Sequence, residues 1–347
     1  MITRQLKLEI FQKILVQQSK HLKNSCSFFR GYHVLDETPK PPLVSVHRFM
    51  LNLLHQNRQG EALDVFRKNL EVGLSGVDEV AIAIASKACL GRPRLGSQIH
   101  GLAIVSGFMS YVSVCNSLMN MYCKSRELRK ALCIFENMKT PDTVSYNTVL
   151  SGFEDSKCAL LFAREMHSVG VVFDAVTYTS VLAHCADGQE FDFGFQLHCL
   201  VLKFGLKMEI FIGNALVTLY SKCGKITDAD KVFREMPHKD LVSWNAILSG
   251  YAQEACGQER NLDFGKQVYA LSMKSGYGSH VSVCNVLMSM YSKCEMVEDA
   301  ELVFENIIDH NVVSWTTMLS INEEDAVNLF KEMMRHEIYP MMLRSSD

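Results

Sequence analysis

SVCNSLMNMYCKSRELRKALCIFENM (Ser113–Met138) and SVCNVLMSMYSKCEMVEDAELVFENI (Ser282–Ile307) are two versions of one phrase, 169 residues apart in a single chain. A third version, GNALVTLYSKCGKITDADKVFREM, runs from Gly213 to Met236. A catalytic constellation is needed once, whereas a recurring phrase marks a module that is stacked. Aligned on their asparagine, the copies put Asn116, Asn214 and Asn285 in register. Between the first and second of these lie TVSYNTVLSGF from Thr143 and AVTYTSVLAHC from Ala175. The interval thus divides into units of 31, 32 and 35 residues starting at Val112, Thr143 and Ala175, with the next short unit starting at Ile210. LVSWNAILSGY from Leu241 and VVSWTTMLS from Val312 repeat the Thr143 phrase.

Each unit reads as two helices. In the unit beginning at Ile210, Ala215, Leu216, Leu219 and Tyr220 form one apolar face. Gly224 then closes the first helix, and Thr227 with Asp230 three residues on resembles a capping box for the second. Ala229, Val232, Phe233 and Met236 share a face of that second helix, which Pro237 ends. A small-then-aromatic pair recurs at a spacing of four: Ala62/Phe66, Ala131/Phe135, Ala229/Phe233, Ala300/Phe304 and Ala326/Phe330. Alanine lets helix axes approach and phenylalanine fills the space one turn later, so all five pairs are expected in the core. A hairpin of this length cannot bury both faces alone, and stacked copies predict an all-α fold, a right-handed superhelical solenoid of helix-turn-helix repeats.

Bulk properties fit a stacked array. Of 347 residues, 48% are hydrophobic, enough for a large core, and the net charge of −3 supplies no global attraction to polyanions. The twelve cysteines form no C-x-x-C pair, and reduced thiols acting as small packing residues account for them. The uncharged stretch Leu95–Cys123 contains His100, Asn116, Asn120 and a turn-like Ser106-Gly107, so it reads as two helices rather than a membrane span. Residues 1–30 carry Arg4, Lys7, Lys13, Lys20, Lys23 and Arg30 against Glu9 alone, the composition of an organellar transit peptide. A linker follows over 31–43, with Pro39, Pro41 and Pro42.

The units VSYNTVLSGF…FAREMHSVGVVFD and NALVTLYSKCGKITDADKVFREMPHKD resemble the pentatricopeptide repeat family of plant organelles, in its class that alternates standard, longer and shorter repeats. The Trp-Leu-Gly-Tyr pattern of tetratricopeptide repeats is not present. The resemblance covers residues 44–341, about eight units, with a tail at 342–347. It implies sequence-specific binding of single-stranded organellar RNA by a monomer, one base per repeat. In the family a residue of the first helix reads the base with the last residue of the repeat as its partner. Carried over, this pairs Asn116 with Asp142, Asn147 with Asp174, Asn214 with Asp240, and Asn285 with Asn311. Asn with Asp resembles a uracil reader and Asn with Asn a pyrimidine reader. Thr179 and Thr316 resemble purine readers, although their partners Glu209 and Met341 depart from the pattern. Val144, Val176, Val242 and Val313 match the aliphatic residues that sandwich each base. Lys124, Lys222 and Lys293 occupy equivalent sites and are candidates to face phosphates.

The spacing breaks once. Only 71 residues separate Asn214 from Asn285, where a full set of repeats needs nearly 100. Residues 241–280 are expected to form one composite hairpin looped through EACGQER, carrying Asn245 as its reader. The chain stops at Asp347 after a repeat, and the extension motifs and deaminase-like domain that follow such arrays are expected to be lacking. Neither H-x-E nor a C-x-x-C pair occurs, nor a Gly-rich phosphate loop, so no catalytic residue, metal or cofactor is assigned. The leading expectation is an RNA-binding specificity factor in mitochondria, or alternatively chloroplasts, for C-to-U editing or other transcript processing. A deaminase or accessory editing factor would act in trans. The alternatives are a tetratricopeptide-like protein scaffold and a truncated, non-functional product.

Overall fold

The computed structural model describes residues 43–71, 77–205, 209–254, 259–322, 325–336 and 338. The leader expected over 1–30, the linker except Leu43, Met341 and the tail lie outside the described residues, as do four positions of the EACGQER loop. Among the described residues every regular element is helical. In chain order these are α1 (Leu43–His55), α2 (Gln59–Glu71), α3 (Glu79–Ala88), α4 (Pro93–Val105), α5 (Val112–Lys124), α6 (Leu128–Asn137), α7 (Thr143–Leu150), α8 (Ser156–Ser168), α9 (Ala175–Gly188), α10 (Phe191–Lys203), α11 (Ile210–Lys222), α12 (Ile226–Glu235), α13 (Leu241–Glu254), α14 (Glu259–Lys274), α15 (Val281–Lys293), α16 (Val297–Glu305), α17 (Val312–Ile321) and α18 (Ala326–Arg335), with one 3₁₀ turn at Phe108–Ser110. No described helix is long and apolar enough to cross a membrane. The ten described cysteines are all free.

The chain divides into two compact units, Met1–Asp174 and Ala175–Asp347. In the first, the odd-numbered helices α1, α3, α5 and α7 pack in series, and each pairs with the even-numbered helix that follows it. In the second, α9, α11, α13, α15 and α17 repeat that arrangement. Both units are therefore stacks of helical hairpins. α13 and α14 form one of these hairpins across the shortened segment, and α13 packs on both α11 and α15.

The hairpins lock through the recurring phenylalanine. Phe135 meets Tyr146 edge-on at 4.8 Å, Phe233 meets Trp244 at 4.9 Å, and Phe304 meets Trp315 at 4.9 Å. In each case the second helix of one hairpin contacts the first helix of the next. Such ring pairs contribute about 0.5–1.5 kcal/mol beyond the area they bury. The four alanines at 62, 131, 229 and 300 are fully buried. The fifth pair departs from expectation: Phe330 is 40% exposed, because no described helix follows α18 to cover it.

Hairpin turns also differ in detail. Gly224 takes φ +67° after α11, a left-handed position that glycine adopts without strain. Thr227 and Asp230 do not form the expected capping box. α12 already begins at Ile226, so Asp230 lies a turn inside it and instead accepts from Arg234 Nε at 2.5 Å. His100 and His198, both half-buried, each place Nδ1 on a tyrosine hydroxyl of the next helix, Tyr122 at 3.0 Å and Tyr220 at 2.7 Å. Burial lowers the pKa of both histidines; Lys130 reinforces this at His100, while Glu235 and Asp228 partly oppose it at His198. Burial also pushes Tyr220 up to about 12.

Phe233→Ala is expected to cost roughly 3–5 kcal/mol, as for other buried phenylalanines, and Phe330→Ala less than about 1 kcal/mol. Urea denaturation followed by far-UV circular dichroism measures both, and equal losses would contradict the packing account. The neutral histidines also set a pH dependence. Because their folded pKa lies below the unfolded value of about 6.5, the unfolded chain takes up protons first as pH falls. Stability should therefore decline below about pH 6.5, and His198→Phe should make that decline shallower in melting curves run between pH 7 and 5.

Candidate functional site

The residue before a first helix must solve a local problem, because the opening N–H groups of that helix have no partner within it. Asp78, Asp142, Asp240 and Asn311 occupy this place. Each accepts from the backbone N–H three residues on: Ala81 at 2.9 Å, Ser145 at 2.8 Å, Ser243 at 2.9 Å and Ser314 at 2.9 Å. Where serine stands at that third position its hydroxyl accepts from the cap backbone N–H, giving reciprocal capping boxes at Asp142, Asp240 and Asn311.

The same carboxylate oxygen serves a second neighbour. Asn116 Nδ2 donates to Asp142 Oδ1 at 3.3 Å, and Asn214 Nδ2 to Asp240 Oδ1 at 3.1 Å. Asn147 Nδ2 likewise donates to Asp174 Oδ1 at 3.1 Å. Each of these asparagines is the fifth residue of a first helix, and its aspartate directly precedes the next first helix. At Asp142 and Asp240 one side chain therefore both starts a helix and aims the amide of the preceding hairpin. Asn214 is fixed at both ends, because its Oδ1 also accepts from Ser243 Oγ at 2.6 Å. Burial works to raise the carboxyl of Asp142, but hydrogen bonds from Ser145 and Asn116 outweigh it and hold the group below the usual carboxylate range. Asp240 behaves alike: burial opposes, and bonds from Ser243 and Asn214 prevail. Both carboxylates are ionised acceptors at neutral pH.

Other candidates are placed differently. No hydrogen bond joins Asn285 to Asn311. Asn311 Oδ1 accepts from Ser314, and Asn285 Oδ1 is buried without a protein partner. Asn245 donates to Ser282 Oγ at 3.0 Å, and Ser282 Oγ lies 3.1 Å from Nδ1 of His280, the N-cap of α15. Thr179 and Thr316 turn their hydroxyls onto their own helices, donating to the carbonyls of Ala175 and Val312. Glu209 precedes α11 without a side-chain capping bond.

Val144, Val176, Val242 and Val313 are each more than half exposed, on the second residue of their helices. Three residues later on the same helices come Asn147, Thr179, Asn245 and Thr316, so an apolar platform and a polar group recur together. Lys124 and Lys293 are exposed at the ends of α5 and α15. Lys222, by contrast, is held by Asp187 of α9 at 2.6 Å. In the second unit an open groove between α11 and α13 is lined by Thr218, Lys222, Val242, Asn245 and Gly250 among others.

One pair escaped the sequence reading. His47 is also the fifth residue of its helix, and its Nε2 lies 2.9 Å from Asp78 Oδ1. The contact is off the line of the ring N–H, so it is a close approach rather than a hydrogen bond. Its signature was the shared offset from helix start to cap, which a search confined to asparagine and threonine does not detect.

Comparison with known proteins follows the same repeats. Residues 111–155 match a model described as the PPR repeat family, and residues 214–241 and 282–312 match a PPR repeat model. The chain is 41% identical over 330 residues to a mitochondrial pentatricopeptide repeat-containing protein of Arabidopsis thaliana, covering 86% of this chain and 43% of that protein. It is 32% identical over 284 residues to a second one, covering 71% and 28%. The chain thus spans less than half the length of these relatives. Among solved structures it is similar to the pentatricopeptide repeat protein PPR10 from maize, with TM-score 0.56 and 19% identity over 87% of this chain and 46% of that one. It is also similar to PPR10 in complex with an 18-nt psaJ RNA element, with TM-score 0.63 and 18% identity over 86% and 51%. At these identities the likeness concerns the fold, which is the stacked-hairpin architecture seen in each unit.

Replacing Asp240 by alanine should cost about 1 kcal/mol through loss of the cap and free the amide of Asn214. Asp240→Asn should retain most of the stability, since asparagine also caps. Denaturation midpoints and the side-chain amide resonances of Asn214 report the two effects. An unmoved Asn214 signal in the alanine variant would contradict the shared-oxygen geometry.

Proposed function

We infer that this chain belongs to the pentatricopeptide repeat family, and from that premise propose that it binds single-stranded RNA in sequence, one base per hairpin. The observation that carries the reading is the recurrence of one arrangement at Asn116/Asp142, Asn147/Asp174 and Asn214/Asp240, each an amide held by the carboxylate that precedes the next first helix, which at Asp142 and Asp240 also caps it. A surface that only grips protein has no physical reason to repeat a polar pair at that register.

The chemistry follows from hydrogen-bond inventory. At Asn116 and Asn214 the aspartate takes one Nδ2 hydrogen and leaves the second to donate to a base carbonyl. At Asp142 the bonds from Asn116 and Ser145 end on Oδ1, so Oδ2 remains as an acceptor for an N–H of the base. Uracil offers carbonyls beside an N–H on its Watson–Crick edge and fits this donor–acceptor pair. Asn285 and Asn245, without a capping carboxylate, are assigned to pyrimidines more loosely, and Thr179 and Thr316 to purines. Val144, Val176, Val242 and Val313 cover the base faces. Lys124 and Lys293 face phosphates, and Lys222 joins them only by leaving Asp187.

No catalytic group is assigned to this chain. Among the described residues no cluster of His, Cys, Asp or Glu is arranged to hold a metal ion. We place the protein in mitochondria, as the names of its relatives say of them, and assign it the role of specificity factor in C-to-U editing or another processing step, with the chemistry supplied by a partner.

Asn214→Thr should shift preference at one base position from pyrimidine toward purine in selection from a randomised single-stranded RNA pool. Affinity should also fall as salt rises. Wild-type protein that retains RNA with no base preference at any position would overturn the assignment, and ribonuclease-insensitive capture of proteins alone would favour a scaffold.

A further inference from the structure

Ser145, Ser243 and Ser314 each complete a capping box, but Ser243 does more. Ser145 Oγ donates to Asp142 Oδ1 at 2.8 Å, and Asn116 Oδ1, one hairpin earlier, is buried without a protein partner. Ser243 Oγ instead lies 2.6 Å from Asn214 Oδ1, nearer than the 2.9 Å to Asp240 Oδ1. The partners settle which end of this amide is which. An ionised carboxylate only accepts, so the end 3.1 Å from Asp240 is the NH2 group and the end on Ser243 is the carbonyl. Ser243 Oγ accepts from the backbone N–H of Asp240 at 3.1 Å and gives its one proton to Asn214. The bonds thus close a ring through the start of α13 and a side chain of α11. Ser243 is fully buried and Asn214 is 8% exposed, so the ring lies where such bonds are strong and costly to break.

We propose that Ser243 is a positioning residue for base recognition: its hydroxyl holds the carboxamide plane of Asn214, so that the amide meets a base as a donor in one fixed direction. This rests on the RNA-binding reading above and adds a residue that acts through Asn214 from inside the core. The torsion that turns an asparagine amide is broad and has no sharp minimum. One bond at Nδ2, as at Asn116, leaves the amide room to swing, whereas a second bond at Oδ1 fixes it. The difference matters for telling the two pyrimidines apart. Uracil flanks its ring N–H with two carbonyls, and cytosine replaces one of them by an amino group, which only donates. A donor fixed in direction rejects that amino group, while a donor that swings also reaches the carbonyl cytosine keeps. The step of Asn214 is therefore more strictly selective for uracil than the step of Asn116, although both pair asparagine with aspartate.

The test is selection of single-stranded RNA from a randomised pool by the full chain, read as the ratio of uracil to cytosine at each step. The steps altered by Asn214→Thr and Asn116→Thr belong to those two residues. Ser243→Ala should lower the ratio at the step of Asn214 roughly two- to tenfold, the range that one hydrogen bond supplies, and leave the step of Asn116 unchanged. Ser243→Thr should retain the ratio, since it keeps the hydroxyl and threonine already stands, fully buried, at the equivalent place in α9 as Thr177. Ser145→Ala removes the same capping hydroxyl but no bond to an asparagine. It should lower the melting temperature as Ser243→Ala does, without changing the ratio at the step of Asn116. If Ser243→Ala does not fold, Ser243→Cys, with its weaker donor, takes its place. An unchanged ratio in the Ser243 variant, or an equal loss at every step, overturns the positioning role and leaves RNA binding standing. Wild type without base preference at any step overturns both.

Discussion

A single carboxylate oxygen at the start of a helix organises this molecule. Asp142 and Asp240 each satisfy a backbone N–H that has no partner inside the helix they begin, and the same atom receives the amide of an asparagine one hairpin earlier. The cap therefore couples two requirements that are usually independent, starting one helix correctly and orienting a polar amide of the hairpin before it. Because capping places the aspartate at a fixed step from the next helix, the asparagine it holds recurs at that step too. Bonds from serine and asparagine keep both carboxylates ionised against the opposing effect of burial.

Stacking supplies the rest. The edge-on contacts of Phe135, Phe233 and Phe304 with the aromatic residue of the following first helix join neighbouring hairpins. Stability built in this way is local, each hairpin depending on those beside it. That explains how the chain accommodates the shortened segment. α13 and α14 still make a hairpin, and α13 still lies between α11 and α15, so the row of first helices in the second unit runs through the irregularity. What changes is the partner of Asn245, which meets the neutral hydroxyl of Ser282 rather than a charged cap.

Much of this was legible from residues because repetition multiplies weak signals. The unit boundaries at Val112, Thr143, Ala175 and Ile210 are all helix starts. The asparagine–aspartate pairs follow from family resemblance, and the geometry then shows Asn116, Asn147 and Asn214 each bonded to its aspartate. Where single residues had to be judged alone, sequence served less well. Thr227 and Asp230 have capping-box spacing, yet α12 begins one residue too early for them to cap it. Phe330 has the core pattern without a described neighbour to cover it. Lys222 was aligned with solvent-facing lysines, but its bond to Asp187 depends on a contact 35 residues away that no local pattern encodes. His47 stood at the informative offset but belonged to an unexpected residue type.

The central claim is that the recurring capped asparagines read bases in order. The most direct measurement is crosslinking of the full chain to organellar RNA followed by sequencing of what is retained. The account predicts a short single-stranded motif in which pyrimidines occupy the steps assigned to Asn116, Asn147 and Asn214, spaced as their hairpins are spaced. Retained RNA with no shared motif, or a motif whose pyrimidine steps do not follow the order of the hairpins, would contradict it.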